Sequence, residues 1–529
     1  MNRAPPAAAA ATLALLAGGG VAAAAATPAA AATPVAADTA PPRAGSDTDA
    51  RIEALQQAMT KMQAEIDALR AAQQRAKLQA QDAPRPTQNG ARFGFSSADG
   101  RNTLALRAVV QADAAHYVQD RAGPLDGDFR RGSVGTTPNR ENNGARDLSD
   151  GLYFRRARLG FEGVINRDFG YRFVAELGGA GTEGPARIND AWVSYTGFAP
   201  FTLQLGAYAP PANMDDGTTP EETLFIERAT PAELSRTLGG ADGRTAFGVR
   251  ASGQRWMSAL TLTGRTVSDA EVYDAQSALV ARGGGLVLAG EDFNLHLGAN
   301  GTWVIHPADA GLDASGARYG VRLRDRPELR VDSTRLIDTG ALDAAHAWSA
   351  GVEFGAAWRG LMLQAEDFHY GVQRRNAPAL EDPRFGGWYA QASWLLTGER
   401  HRYNAATGAF QAPRPFVPLA RGGGHGAWEL AVRHSHTDLD FHAGAAGSAP
   451  AADAVRGGMQ DIWTIGVNLY ATPNLRWQLN WLHIDVERLN PRTAAAASAP
   501  FGAAPATPPV GAAIGQALQA WALRTQYGF

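Results

Sequence analysis

The 529 residues suffice for several soluble domains or one large barrel, and past residue 26 no apolar run reaches the roughly 18 residues that a spanning helix needs. A formal charge of −3 gives no whole-chain attraction to nucleic acid, and the absence of cysteine removes disulfides, cysteine-ligated zinc and thiol catalysis. What remains is rich in Gly (60), Trp (12), Tyr (12) and Phe (20), the composition of a membrane barrel, in which only alternate strand residues meet lipid.

Residues 1–26 read as a secretory signal: Arg3 near the start, an apolar Leu13, Leu15, Leu16 segment, then small residues, with cleavage expected between about Ala24 and Ala37. Residues 27–48 form an Ala-, Pro- and Thr-rich linker. Over 49–80 the period is helical. Ile52, Leu55, Met59, Met62, Ile66 and Leu69 follow one another at steps of 3 and 4, a heptad seam with a and d positions filled. About 25 helical residues span roughly 38 Å. Such a helix is marginal alone, so the seam implies a partner helix in a periplasmic coiled coil, without fixing the number of strands. Pro84 and Pro86 stop it, in a second linker over 81–91.

From 92 to 529 the period is two. Leu104, Leu106, Ala108 and Val110 alternate with Arg107 and Gln111. Tyr153, Ala157, Leu159 and Phe161 alternate with Arg156, Arg158 and Glu162. Leu475, Trp477, Leu479 and Trp481 alternate with Arg476, Gln478 and Asn480. Alternate side chains of a strand point to opposite faces, so one face is greasy and ringed by aromatics while the other carries Arg, Glu, Gln and Asn. The fold class is therefore all-β: a 16-stranded antiparallel transmembrane barrel behind a short helical coiled coil. The strands are predicted near 103–118, 151–164, 169–179, 187–197, 200–209, 243–253, 256–266, 277–289, 292–304, 347–358, 361–372, 386–397, 426–439, 461–472, 475–486 and 516–529. Short and long connections alternate, as short periplasmic turns and long outer loops would. Segment 398–425 breaks the rule, being long on the short-turn side.

The final strand places Trp521, Leu523, Tyr527 and the terminal Phe529 on one parity. An aromatic end on an amphipathic last strand resembles the signal read by the barrel-assembly machinery.

Several ordered pieces resemble the phosphate-selective porin O and P family: Phe154-Arg155-Arg156-Ala157-Arg158-Leu159, Asn189-Asp190-Ala191-Trp192-Val193, Phe225-Ile226-Glu227-Arg228, Arg326-Pro327-Glu328, Asp338-Thr339-Gly340, Leu396-Thr397-Gly398-Glu399, Gly426-Ala427-Trp428-Glu429-Leu430 and Leu523-Arg524-Thr525-Gln526. The resemblance implies a homotrimeric, 16-stranded anion channel in the Gram-negative outer membrane, narrowed by inward-folded loops. Where the family reads Gly-Gln-Phe-Lys-Pro-Pro, this chain has Gly206-Ala207-Tyr208-Ala209-Pro210-Pro211. The only lysines of the chain are Lys61 and Lys77, so the lysine part of a phosphate site is missing.

The leading functional candidates are Arg322, Arg324 and Arg326, which share a face if the segment is extended, roughly 6.6–6.8 Å apart. Arg318 and Arg330 have the same parity. On this reading they form a ladder that passes small anions from site to site; the competing reading pairs them with lumen carboxylates. Arg156 and Arg158 are candidates for a lumen-wall cation pair at the constriction or for a structural wall network with Glu162, Arg172, Glu176 or Asp190, and Arg228 for the eyelet or for an ion pair that anchors its loop. His434 and His436 fall on the outward parity of Trp428 and Leu430 and read as interfacial. Gly179-x-Gly181-x-x-Gly184 matches a dinucleotide fingerprint in letters, but Pro185 and a strand follow it, so it reads as a hairpin loop. No converging nucleophile and base is found, and no cofactor or metal is implied. The expected function is passive diffusion of small, phosphate-like anions. The alternative is a barrel with a plugged lumen that mainly tethers the coiled coil. The expected partners are outer-membrane lipid, the anions, the assembly machinery and two further copies of the chain, with no nucleic acid.

Overall fold

The structure, a computed structural model, describes residues 46–89, 92–119, 148–179, 186–267, 273–311, 317–491 and 510–529. The signal (1–26), most of the first linker and the Gly181–Gly184 half of the glycine-rich loop lie outside the described residues. The chain divides into two units after Leu78.

In the first unit, helix α1 (Ser46–Asp82) is three residues longer at its start and two at its end than the heptad reading gives. Ile52, Leu55, Met59, Met62, Ile66 and Leu69 are all exposed along it. Among the described residues, no helix is long and apolar enough to cross a membrane.

The second unit is a closed antiparallel barrel. Its wall strands are β1 (Thr103–Gln119), β2 (Gly151–Ile165), β3 (Phe169–Glu176), β4 (Arg187–Phe198), β5 (Phe201–Tyr208), β6 (Arg244–Ser252), β7 (Trp256–Thr266), β8 (Ser277–Ala289), β9 (Phe293–His306), β10 (Leu342–Trp358), β11 (Leu361–Arg374), β12 (Arg384–Leu395), β13 (Ala427–Phe441), β14 (Val455–Tyr470), β15 (Leu475–Glu487) and β16 (Gln516–Gly528). Each pairs with the next, and β16 closes on β1 with Trp521 opposite His116 and Leu523 opposite Ala114. All sixteen predicted strands are present. β10 and β14 start about five residues earlier than predicted, because Ala- and Gly-rich beginnings such as Val455-Arg456-Gly457-Gly458 show no alternation.

Closure leaves no free wall edge along this seam except at the start of β1, which extends below the end of β16. There the end of the stretch read as a linker is a strand: Arg85–Asn89 pairs with Arg92–Ser96 in a hairpin, and Gly94, Phe95 and Ser96 pair with Ala105, Leu104 and Thr103 of β1. Backbone groups left unpaired would attract other strands, and the hairpin satisfies them.

Side-chain alternation places Leu361, Leu363, Trp394, Leu430, Trp463, Trp521 and Leu523 on the outside. The inside departs from the expected polar lining. At the long-connection end, the inner face of β11–β16 presents Tyr370, Phe385, Tyr389, Ile462, Ile484 and Leu518, all buried in one apolar cluster. The partner surface is Ile226 and Leu234 of the 209–243 connection together with Leu329, Leu336 and Ile337 of the 307–341 connection. Two long connections thus fold into the barrel, and a greasy inner wall gives them something to pack against.

Candidate functional site

The 209–243 connection carries α2 (Met214–Gly217) and α3 (Thr230–Gly239). Asn213 caps α2 by accepting a hydrogen bond from the Asp216 amide at 2.8 Å. Pro lies in the first turn of α3, where its missing N–H costs nothing. The Glu366 carboxylate accepts from the amides of Met214 and Asp215, at 2.8 and 3.0 Å, so the loop is bonded to the barrel wall.

Its charges are bonded as well. Glu227 accepts from Arg155 at 2.6 Å and from Arg524 at 3.1 Å, and Arg330 stands 3.3 Å away. Burial works to raise the Glu227 pKa, but Arg155, Arg330 and Arg524 hold it well below the usual carboxylate range. Arg524 is fully buried and also donates twice to Asp113 at 2.6 Å. Glu328 ties the 307–341 connection down, accepting from Arg433, from Ser435 Oγ at 2.6 Å and from the Thr230 amide at 2.9 Å. Asp325 lies where the two connections meet, near Glu233 and Arg330. Burial first, and Glu233 in addition, push its pKa up to about 7 against the pull of Arg330.

The sequence candidates fare differently. Arg156 is buried and donates to Gln111 at 2.7 Å. Arg158 is buried between Glu176 at 2.7 Å and Asp242 at 2.9 Å. Arg228 is buried, donates to the Thr218 carbonyl at 2.9 Å and lies 3.7 Å from Asp216, the position of a loop anchor. Arg322 and Arg324 are exposed, with Arg322 bonded to Asp338 at 2.7 Å. Arg326 is buried, unlike its two neighbours of like parity. The extended run ends at the two-residue strand Arg324–Asp325; Pro327 follows, and Glu328 takes a left-handed φ of 53°. The three arginines therefore do not present one face.

Sequence reasoning missed Arg155. Strict alternation turns it outward, yet a bulge in β2 leaves it without a partner in the register between Gln111–Arg156 and Ala112–Phe154, and its side chain is buried against Glu227. It also missed Arg335, which makes no hydrogen bond or ion pair among the described residues; burial, then the nearby Arg324 and Arg330, depress its pKa.

Segment 396–426 enters the lumen from the short-turn end. Its hairpin, Arg402–Asn404 with Ala409–Gln411, is held from the wall by Arg282, which donates to the carbonyls of Thr407 and Gly408 at 2.6 and 2.7 Å. Arg282 is itself paired with Glu353 at 2.8 Å. Tyr403 Oη lies 2.7 Å from His296 Nδ1. Ser393, His401 and Glu429 converge nearby, but Ser393 Oγ and Glu429 both contact Nε2 of His401. A hydroxyl–imidazole–carboxylate relay needs both ring nitrogens, so this cluster anchors the segment.

Between this segment, the tip of the 209–243 connection and the wall lies a cavity of about 440 Å³ lined by Arg92, Arg107, Arg402, Arg414 and Arg476 against Glu221 and Glu222. Burial works to raise the Glu221 pKa, but Arg107 and Arg158 hold it down at about 2. Arg414 is exposed and has no ion pair among the described residues. Arg107 and Arg476 were legible as inward positions. Arg402 and Arg414 were not, because nothing in their local sequence says that the segment turns inward.

A family model described as phosphate-selective porin O and P matches residues 131–500. An uncharacterized protein of Caulobacter vibrioides is 28% identical over 355 residues, 65% of each chain. The match thus spans just under two thirds of that relative's length. Porin O of Pseudomonas aeruginosa is 24% identical over 316 residues, 56% of this chain and 68% of its own. Among solved structures, an anion-selective porin from Comamonas acidovorans aligns with 81% of this chain and all of its own, at 11% identity and a TM-score of 0.42. The family match covers well over half of the chain and agrees with the sixteen-stranded closed wall: the chain belongs to the phosphate-selective porin O and P family of outer-membrane porins.

Proposed function

We propose that the chain lets small, phosphate-like anions diffuse passively through an arginine-lined lumen. The observation that carries this reading is the cavity at the short-turn end, where five arginines face two glutamates. One Arg and one unit of anion charge at 4 Å attract by about 1 kcal/mol in bulk water and about 4 kcal/mol at an effective dielectric of 20. Several sites of that strength admit an ion without trapping it, as conduction requires. Arg335 offers further positive charge toward the other end, with Arg324 exposed nearby; Arg322 shares its charge with Asp338, and Arg156, Arg158, Arg228 and Arg326 serve as buried framework. With Ala209 at the family's lysine position, anions are sorted by charge and size, without a lysine phosphate site.

The remaining assignments follow. Residues 1–26 direct export. Residues 49–80 form a periplasmic coiled coil through the Ile52, Leu55, Met59, Met62, Ile66 and Leu69 seam, in a homotrimer. The exposed face of Trp521, Leu523 and Tyr527, ending at Phe529, meets lipid and is read by the assembly machinery. A second reading has its own support: connections from both ends occupy the lumen, as in a plugged tether.

Planar-bilayer recordings with chloride, phosphate and a bulky organic anion separate the two. A pore gives discrete steps and an anion-selective reversal potential, and Arg324→Glu with Arg414→Glu lowers the anion-to-cation permeability ratio. Absence of steps favours the tether; steps with an unchanged reversal potential in the double variant count against the arginine path.

A further inference from the structure

Three donor side chains converge outside the lumen, above the long-connection end of the wall. Glu381 belongs to the 375–383 connection between β11 and β12; His442 and Asp453 belong to the 442–454 connection between β13 and β14. His442 Nδ1 lies 2.9 Å from Asp453 Oδ2, and His442 Nε2 lies 4.0 Å from Glu381 Oε2. One ligand atom from each of the three falls within 4.8 Å of the others. An ion with ligands at about 2.1 Å in tetrahedral array sets its donors roughly 3.4 Å apart; it takes one ring nitrogen, so one carboxylate swings round to join the other on that side of the imidazole.

The backbone around them is braced. Arg374 donates to the carbonyl of Glu381 at 3.0 Å and to the carbonyl of Asp453 at 2.6 Å, and its own amide donates to Asp382 at 2.8 Å. One guanidinium thus ties both connections together through main-chain oxygens. His442 has a left-handed φ of 46°, and its ring stacks on Phe441 with centroids 4.0 Å apart. That conformation aims the imidazole across the gap between the two connections. The site is open to solvent, with the His442 and Glu381 side chains about half and two-thirds exposed.

We propose that Glu381, His442 and Asp453 bind a divalent transition ion of the zinc class. The imidazole decides the class: calcium and magnesium prefer oxygen-only shells, whereas a mixed nitrogen and carboxylate set suits zinc and its neighbours. Two carboxylates and a neutral imidazole balance the double charge. The bound ion staples the β11–β12 connection to the β13–β14 connection, bracing the rim above the β12–β13 pair, and water completes its shell.

The test uses the full chain in detergent, without a polyhistidine tag, stripped with chelator and titrated calorimetrically with zinc chloride and, separately, calcium chloride. One zinc per chain is expected, with calcium weaker by about tenfold or more. His442→Ala and Asp453→Asn should each weaken zinc by about tenfold or more, while His434→Ala, on the outer wall, leaves it unchanged. All three positions are on the surface, so the variants should remain folded by gel mobility. No zinc uptake by the parent chain, equal uptake in either site variant, or loss in His434→Ala instead would overturn the proposal.

Discussion

Single side chains bear heavy electrostatic loads inside this barrel. Arg524 is fully buried between Asp113 and Glu227, two carboxylates that lose their neutralising partner if it is removed. Breaking one side of a buried pair costs about 3–5 kcal/mol, so Arg524→Ala should lower the temperature at which the folded band converts to the unfolded one on a semi-native gel. An unchanged transition temperature would show that Asp113 and Glu227 tolerate the loss. Asp325 works in the opposite direction. Its pKa is raised to about 7 from an ordinary 3.8, so between those values the folded chain keeps a proton that the unfolded chain releases. Its contribution to stability is fully present below about pH 4 and is lost as pH rises through 7. Asp325→Asn should flatten that part of the stability profile, measured as urea midpoints from pH 4 to 8. A profile that keeps its slope in the variant would assign the titration to another group. Neither role was legible from spacing: Arg524 and Asp325 look like any other inward or loop charges until their neighbours from distant strands are present.

The elements differ in how far sequence carried them. Sixteen strands were legible because lipid on one side and polar or loop contacts on the other impose a period of two that no soluble helix imitates. Helix α1 was legible for the complementary reason, a seam at steps of 3 and 4, and its apolar positions remain exposed along the helix. The first strand of the hairpin 85–96 was hidden, since Arg-Pro-Thr-Gln-Asn shows no alternation, whereas Phe93 and Phe95 of its second strand keep the period of two. Segment 396–426 was visible only as an anomaly of length. Its anchoring through Arg282, His296 and His401 makes it a fixed obstruction at the short-turn end. Replacing residues 402–411 by a short Gly-Ser link should therefore raise single-channel conductance severalfold, read in variants that still migrate as the folded band. Equal conductance would place the narrowest point at the 209–243 and 307–341 connections instead.

For the whole molecule, long-range electrostatics sets the expected behaviour. Exposed lumen charges are screened over about 10 Å at 0.1 M salt and about 3 Å at 1 M, so the anion preference measured in bilayers should shrink as salt rises, while the loop framework of buried pairs persists. Composition and periodicity determined that this chain forms a large barrel with a greasy exterior, because each strand residue reports its own surroundings through its polarity. They also carried the family resemblance, because short motifs survive in order along the chain. The tertiary structure alone decided which connections enter the lumen, that the inner wall of β11–β16 is apolar at its long-connection end, that Arg155 turns inward at a bulge and Arg326 leaves its neighbours, and which arginines line an open cavity. Those outcomes depend on pairings between residues tens to hundreds of positions apart, such as Arg524 with Asp113, and a local pattern holds no record of such partners.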